Sequence, residues 1–372
     1  MSRLNRFLEG VRVIDLSWYL PGPLATLLLA DLGAEVIKVE PPQGDPMRTI
    51  GPRMADGRGL WHEAVNAGKR LLCLDLKQPE GLESLLELLA SADVLVESFR
   101  PGVLDKLGLG YDTVLRRRNP RLVCVSLSGY GQEGPLRDAA GHDNNYLAQA
   151  GFLSRVGPAP DQAALVDPPI ADCLGSMFGL TTLLAALLER ERRGQGCHID
   201  IALADVSLPL QVFAFAGVGP GSSGRGEGDL NGGWACYGVY RTQEGREAAL
   251  GAIEPKFWAA FCGAARRPDW IARHSEPRPQ HALRAEVAAF FASQTWTEIS
   301  ARYAQVDCCL SLVLTLDESA KSEHARARRI LQPTHGTTGW QALYPAHVDG
   351  QPPKPRDPLA PWNPASREGR GD

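Results

Sequence analysis

The chain has 372 residues, 44% apolar and 22% charged, with 39 basic against 43 acidic side chains and a net charge of −4. At roughly 150 residues per domain, this length predicts two domains or one large one with an insertion. The composition excludes a mainly disordered or collagen-like chain, and the charge balance excludes a polyanion such as duplex nucleic acid as an electrostatic partner. Any anionic ligand must be met by local basic groups.

The cysteines (Cys73, Cys124, Cys173, Cys197, Cys236, Cys262, Cys308 and Cys309) are scattered without a Cys-x-x-Cys pair. They read as reduced core thiols, and no metal site is expected. No apolar run precedes Glu9, and the apolar stretch near Leu180–Leu188 is shorter than a bilayer requires. The expected location is the cytoplasm, with no membrane partner.

The first half alternates short apolar runs with amphipathic ones. Strands are expected at Val11–Ser17, Glu35–Glu40, Arg70–Leu76, Asp93–Glu97 and Arg121–Ser128. Helices are expected at Pro23–Leu32, stopped by Gly33, and at Pro79–Ala90 and Tyr111–Arg118. This alternation predicts βαβ units around a parallel sheet, an α/β fold. A short helix near Asn144–Ala150, a long apolar helix near Asp172–Glu191, a strand at His198–Leu203 and a helix from about Asp205 follow.

Gly217–Gly233 carries eight glycines among polar residues and reads as a linker and the first domain boundary. Beyond it, a hairpin of Trp234–Tyr240 and Glu247–Ile253 around Gln243-Glu244-Gly245, with helices near Pro255–Gly263, His281–Gln294 and Thr297–Ala304, makes a smaller α+β unit. The expected division is therefore a large domain over 1–216, a linker over 217–233, a small domain over 234–315, and a return to the large domain over 316–372. From about Gln332 the chain is rich in Pro and Gly and ends in a charged tail, Arg367–Asp372, expected to fray.

Gly129, Gly131 and Gly134 form a literal G-x-G-x-x-G after a strand. A dinucleotide site also needs a helix opening in that loop and an acidic strand end about 20 residues on; Pro135 follows instead, so the glycines read as a close-approach loop. His142 and Asp143 precede a helix, where orphan backbone N–H groups favour developing negative charge; the alternative is a plain helix cap. Asp172 opens an apolar helix, either as a cap or as a carboxylate at the edge of a buried site. Glu254 stands between an apolar strand and Pro255, where capping is the simpler role. Lys38, Arg48, Lys69 and Arg100 fall near strand ends, the place where phosphate-bearing ligands sit in open α/β sheets.

Taken together these residues resemble the class III CoA-transferase family and, within it, the α-methylacyl-CoA racemase branch. The resemblance runs from about Leu8 to about Leu331. It is carried by Gly22 through Glu40, Lys69–Lys77, Glu97 through Leu109, Gly129–Pro135, Ala140–Gly151, Asp172–Gly175 and Gly251–Trp258. It implies a Rossmann-like large domain joined by long linkers to a smaller α+β domain, in an interlocked homodimer. The active site would then lie between the large domain of one chain and the small domain of the other, so that Glu254 meets His142 across the dimer.

The resemblance also implies an acyl-CoA thioester substrate and no cofactor or metal beyond the CoA moiety, and the strand-end residues Lys38, Arg48, Lys69 and Arg100 are then the expected CoA contacts. His142, Asp143 and Glu254 match the racemase pattern. Inversion at C2 needs two bases on opposite faces, and the expectation is that His142, oriented or charge-compensated by Glu254, serves one face and Asp172 the other, with the Asp143 N–H meeting the enolate oxygen. Asp172 also matches the nucleophile of the transferases, in which case it would carry an acyl anhydride and then a CoA thioester. Glu40-Pro41-Pro42 and the segment Gly44–Leu60 look more transferase-like. A non-catalytic CoA-binding protein is the third alternative.

Overall fold

The computed structural model describes residues 2–157, 159–219, 223–334 and 336–362. The tail Arg367–Asp372 lies outside the described residues. The chain forms two compact units, one from 1–150, 167–210 and 320–372, the other from 151–166 and 211–319. The second unit thus begins before the glycine-rich stretch and is entered twice.

In the first unit β1 (Arg12–Asp15), β2 (Glu35–Glu40), β3 (Arg70–Cys73), β4 (Val94–Glu97), β5 (Val123–Ser128) and β6 (His198–Ala202) pair in parallel. The strand order is β12-β3-β2-β1-β4-β5-β6, with β12 (Ala360–Pro361) parallel to β3 at the edge. The Val, Ile and Leu runs of β1, β2, β4 and β5 are buried on both faces, as parallel strands covered by helices must be, whereas β3 and β6 keep exposed positions. Val13, Val36, Val96, Val125 and Leu127 face Leu28 and Leu29 of α1 (Pro21–Asp31). Leu180, Leu183 and Leu187 of a long helix over Ile170–Arg193 pack on the same side. Ile14, Ile37, Leu95 and Cys124 face the opposite layer, Leu85, Leu86, Leu88 and Leu89.

Between these lie α2 (Leu60–Asn66), α3 (Pro79–Ala90), which supplies that opposite layer, α4 (Val103–Lys106), one π turn at Tyr111–Leu115, and α5 (Arg116–Arg118). Pro21 and Pro79 start α1 and α3, where their missing N–H would be unpaired in any case. Gly33 ends α1 at φ +103, and a Cβ there would lie 2.2 Å from the Asn5 carbonyl oxygen. Next come α6 (Asp143–Gln149) and the long helix, α7 (Ile170–Arg193). By length and composition α7 could cross a bilayer, a longer apolar segment than the run 180–188 suggested.

One expectation changes. The chain from Leu203 to Leu208 is a series of turns, and helix begins only at Pro209, with a 3₁₀ turn over Pro209–Gln211 leading into α8 (Val212–Ala216); Pro209 disfavours helical geometry in the residue before it. The Pro-rich end carries regular structure. β10 (Leu331–Pro333) and β11 (Trp340–Ala342) form a hairpin, and the Arg356 guanidinium forks onto Asp31 of α1 at 2.7 and 2.6 Å, both side chains buried.

The second unit is an antiparallel sheet of β7 (Tyr237–Arg241), β8 (Glu247–Gly251) and β9 (Leu310–Leu312). Packed with it are α9 (Pro255–Ala264), α10 (His281–Ala292) and α11 (Trp296–Tyr303) around Trp258, Phe261, Trp270 and Phe291. The three-residue β9 is too short to show alternation and was not foreseen.

Candidate active site

Strands β1 and β4 are neighbours, yet the sheet runs outward from them in opposite directions. That is a topological switch point, whose carboxyl ends leave a crevice between diverging loops. The loops are tied across it: the Trp18 N–H donates to Ser98 Oγ at 2.8 Å, and the Trp18 and Phe99 rings meet edge to face at 5.8 Å. Behind them the Ser176 hydroxyl of α7 donates to the Pro21 carbonyl at 2.7 Å, locking α7 to the start of α1.

His142 caps α6 with an exposed ring, and its N–H donates to Asn145 Oδ1 at 3.0 Å. Asp143, the first residue of α6, turns its carboxylate toward the start of α7, where Oδ1 accepts the Asp172 N–H at 3.0 Å. The N–H groups of Ala171 and Ile170 also act on that carboxylate. Asp143 is thus a cap for α7, one of the groups that an N-terminus leaves wanting, rather than a free acid. His142 and Asp172 lie one peptide link and one hydrogen bond apart through it.

Burial, and then the nearby Asp143 charge, push the Asp172 carboxyl up to about 7. Asp143 is itself raised by burial, against the pull of its three N–H donors. Tyr146 of α6 is buried, donates to the Gly141 carbonyl at 2.5 Å and meets Tyr130 edge-on at 5.3 Å. A Cβ on Gly129 would lie 2.8 Å from the Tyr146 ring, so the first glycine of the G-x-G-x-x-G makes room for an aromatic ring.

The structure corrects two of the proposed CoA contacts. Lys38 and Lys69 are fully buried: Lys38 Nζ pairs with Asp45 at 3.0 Å and bonds the Ser17 carbonyl, and Lys69 Nζ pairs with Asp15 at 3.1 Å. Their charges are spent inside the fold, because a buried ammonium must be paired. Burial pulls the Lys69 ammonium down to about 8, against Asp15. Burial works to raise the Asp15 carboxyl, but Lys69 and Lys38 hold it at about 2. Arg48 bonds Glu40 at 2.6 Å and keeps an accessible edge, its side chain 30% exposed. Arg100 is exposed in the turn after β4, and its charge acts on Tyr146. Glu254 belongs to the second unit, exposed at the N-cap of α9 without a side-chain cap bond.

Sequence reasoning missed Asp143 as the α7 cap, since nothing in one chain links position 143 to 170–172. It also passed over Glu97, an acid closing an otherwise apolar strand, which the structure buries opposite Ser126.

Comparison with known proteins identifies the family. The profile of CoA-transferase family III matches residues 8–363. The chain is 35% identical over 325 residues to the alpha-methylacyl-CoA racemase of Homo sapiens, covering 86% of this chain and 81% of that protein. It is 42% identical over 206 residues to the succinate–glutarate CoA-transferase of Agrobacterium fabrum, covering 54% and 51%. The crystal structure of a CAIB/BAIF family protein from Brucella suis superimposes with a TM-score of 0.82 at 26% identity, covering 95% of this chain and 96% of that one. With the profile spanning nearly the whole chain and the fold matched along its length, the protein belongs to CoA-transferase family III and is an enzyme.

Proposed function

We propose that this enzyme inverts C2 of 2-methylacyl-CoA thioesters by proton transfer through an enolate. One group removes the C2 proton on one face while a second, already protonated, delivers a proton to the other. His142 and Asp172 are that pair, and Glu254 of the second unit, in a dimer, compensates the imidazolium. The Asp143 N–H, without an intrahelical acceptor at the first turn of α6, donates to the enolate oxygen. Arg100 and Arg48 meet the CoA phosphates.

The observation that carries this reading is the Asp172 carboxyl pushed up to about 7, on a residue whose backbone N–H is bonded to Asp143, the neighbour of His142. An acid–base group works best with its pKa near the working pH, whereas a carboxylate nucleophile is weakened by being half protonated there. The match to the racemase over most of both chains supports the same reading.

The second reading is transfer of CoA to a carboxylic acid with Asp172 as nucleophile, favoured by the higher identity to a CoA-transferase over about half the chain. A single epimer of a 2-methylacyl-CoA in D₂O, followed by NMR, separates them. Deuterium at C2 with drift to both epimers, abolished in His142→Ala, is the expected result. No exchange, with CoA transfer to added carboxylates surviving His142→Ala, overturns the first reading in favour of the second.

A further inference from the structure

Glu97 closes β4 and is 3% exposed, and no role has fallen to it. The sheet register sets Glu97 of β4, Ser126 of β5 and Asp200 of β6 in one row. Residues two apart on a strand share a face, so His198 stands on the same side as Asp200. Ser126 bonds His198 Nε2 at 2.9 Å, and its hydroxyl, opposite Glu97 in the register, acts on the Glu97 carboxyl. Glu97 Oε2 accepts the Phe99 N–H at 2.7 Å, the bond that turns the chain out of the strand toward Arg100.

The groups facing Glu97 are few. Asp200 on β6 repels its charge and bonds the Gln132 N–H at 2.8 Å, and the Cys124 thiol on β5 lies close enough to feel Glu97. His198, stacked on Tyr111 at 5.4 Å, is reached through Ser126. Among the described residues no lysine or arginine acts on it. Burial raises the Glu97 carboxyl to about 7, against the pull of Ser126 and the Phe99 N–H. Burial lowers the His198 imidazole, against Asp200.

We propose that Glu97 is the positioning residue of the turn Ser98–Gly102, and that its ionisation, shared through Ser126 with His198, sets how firmly that turn presents Phe99 and Arg100 to the ligand. When Glu97 is ionised, His198 Nε2–H donates to Ser126, Ser126 donates to Glu97, and the Phe99 N–H has a charged acceptor, which roughly doubles the strength of such a bond. When Glu97 takes a proton from solvent, it donates to Ser126 and Ser126 donates to His198 Nε2, whose ring proton then sits on Nδ1. The Phe99 N–H keeps only a neutral acceptor, and the turn loosens. The consequence for CoA rests on the reading of Arg100 as a phosphate contact; the coupling of Glu97 to the turn does not.

The test uses the full chain labelled with ¹⁵N-phenylalanine, the Phe99 amide being assigned with Phe99→Leu. The wild-type Phe99 amide proton shift should follow pH with a midpoint near 7, stay flat in Glu97→Gln, and titrate at higher pH in Ser126→Ala. A wild-type amide that does not titrate overturns the proposal, and Ser126→Ala keeps it testable should Glu97→Gln fail to fold. CoA binding is measured by calorimetry at pH 6 and 8 on wild type and Glu97→Gln, so that titration of the CoA phosphate cancels. Wild type should gain several-fold more affinity than the variant on going to pH 8. Equal gains overturn the effect on the ligand. If Arg100→Ala binds CoA as tightly as wild type while the amide still titrates, the phosphate reading of Arg100 fails and the coupling of Glu97 to the turn stands.

Discussion

On the β2–β3 side of the sheet's carboxyl edge, the buried acids Asp15, Glu40 and Asp45 each meet a cation: Lys69, Arg48 with His62, and Lys38. Toward β5, Glu97 is buried and Asp172 half-buried, with hydroxyls, N–H groups and other carboxylates for company. The outcome differs by about five pH units, Asp15 and Glu40 held at about 2 and Glu97 and Asp172 pushed to about 7. Burial acts alike on both sides, and the neighbouring cation decides the sign. One side is thereby fixed as charged scaffold, and the other keeps acids that can exchange protons near neutrality.

The most damaging way to break this contrast is to strip a cation from the scaffold side. Lys69→Met leaves Asp15 buried beside a single remaining ammonium and should cost about 3–5 kcal/mol in urea unfolding at pH 7. Asp15→Leu added to it should recover most of that loss. If the single variant is as stable as wild type, the network is not what holds β1 to β3.

A smaller effect comes from Glu40. Burial opposes its ionisation, but hydrogen bonds from His62 and Arg48 hold the carboxyl at about 2, against a usual 4.5. A depressed carboxyl contributes stability that is complete above its unfolded pKa and is lost as pH falls through the folded one. Glu40→Gln should therefore lose about 2–3 kcal/mol at pH 7, and its gap to wild type should close between pH 4.5 and 2. A gap of equal size at pH 3 and pH 7 would mean that packing, not charge, accounts for the loss.

Asp172 reverses the sign. Its carboxyl is raised, so its protonated form stabilises the fold at low pH, and that stabilisation drains away as pH rises from about 4 through 7. Asp172→Asn should abolish C2 exchange and yet be about 2 kcal/mol more stable than wild type at pH 8, with little difference at pH 4, measured by denaturant unfolding at both.

The two sides were also unequally legible in the sequence. Hydrophobic runs gave the parallel strands and α1, α3 and α7 within a few residues, because burial on both faces leaves a strong local signature. Lys38 and Lys69 misled for a physical reason: a lysine at a strand end looks the same whether its partner is a phosphate or an aspartate 54 residues away, as Asp15 is from Lys69. His142 and Asp172 stood out as acid–base residues at helix starts. That Asp143 joins them is a contact across 29 positions that no spacing rule encodes. The fork of Arg356 on Asp31, across 325 positions, is of the same kind.

The finest adjustment concerns Asp143, whose charge, among the described residues, adds to burial in raising Asp172. Asp143→Asn keeps an oxygen to accept the N–H groups at the start of α7, so Asp172 stays in place, but it deletes the repelling charge. Burial is the larger cause and is untouched, so the Asp172 limb of the pH–rate profile should move toward acid by at most about one unit, roughly 1.4 kcal/mol, and remain above the ordinary aspartate range. Asp143→Ala would lose the cap as well and should lower the rate at every pH. Should Asp143→Asn return the limb to about 4, the repulsion between the two carboxyls would be the main cause of the high value, and enclosure alone would no longer explain why the acids on this side of the sheet hold their protons.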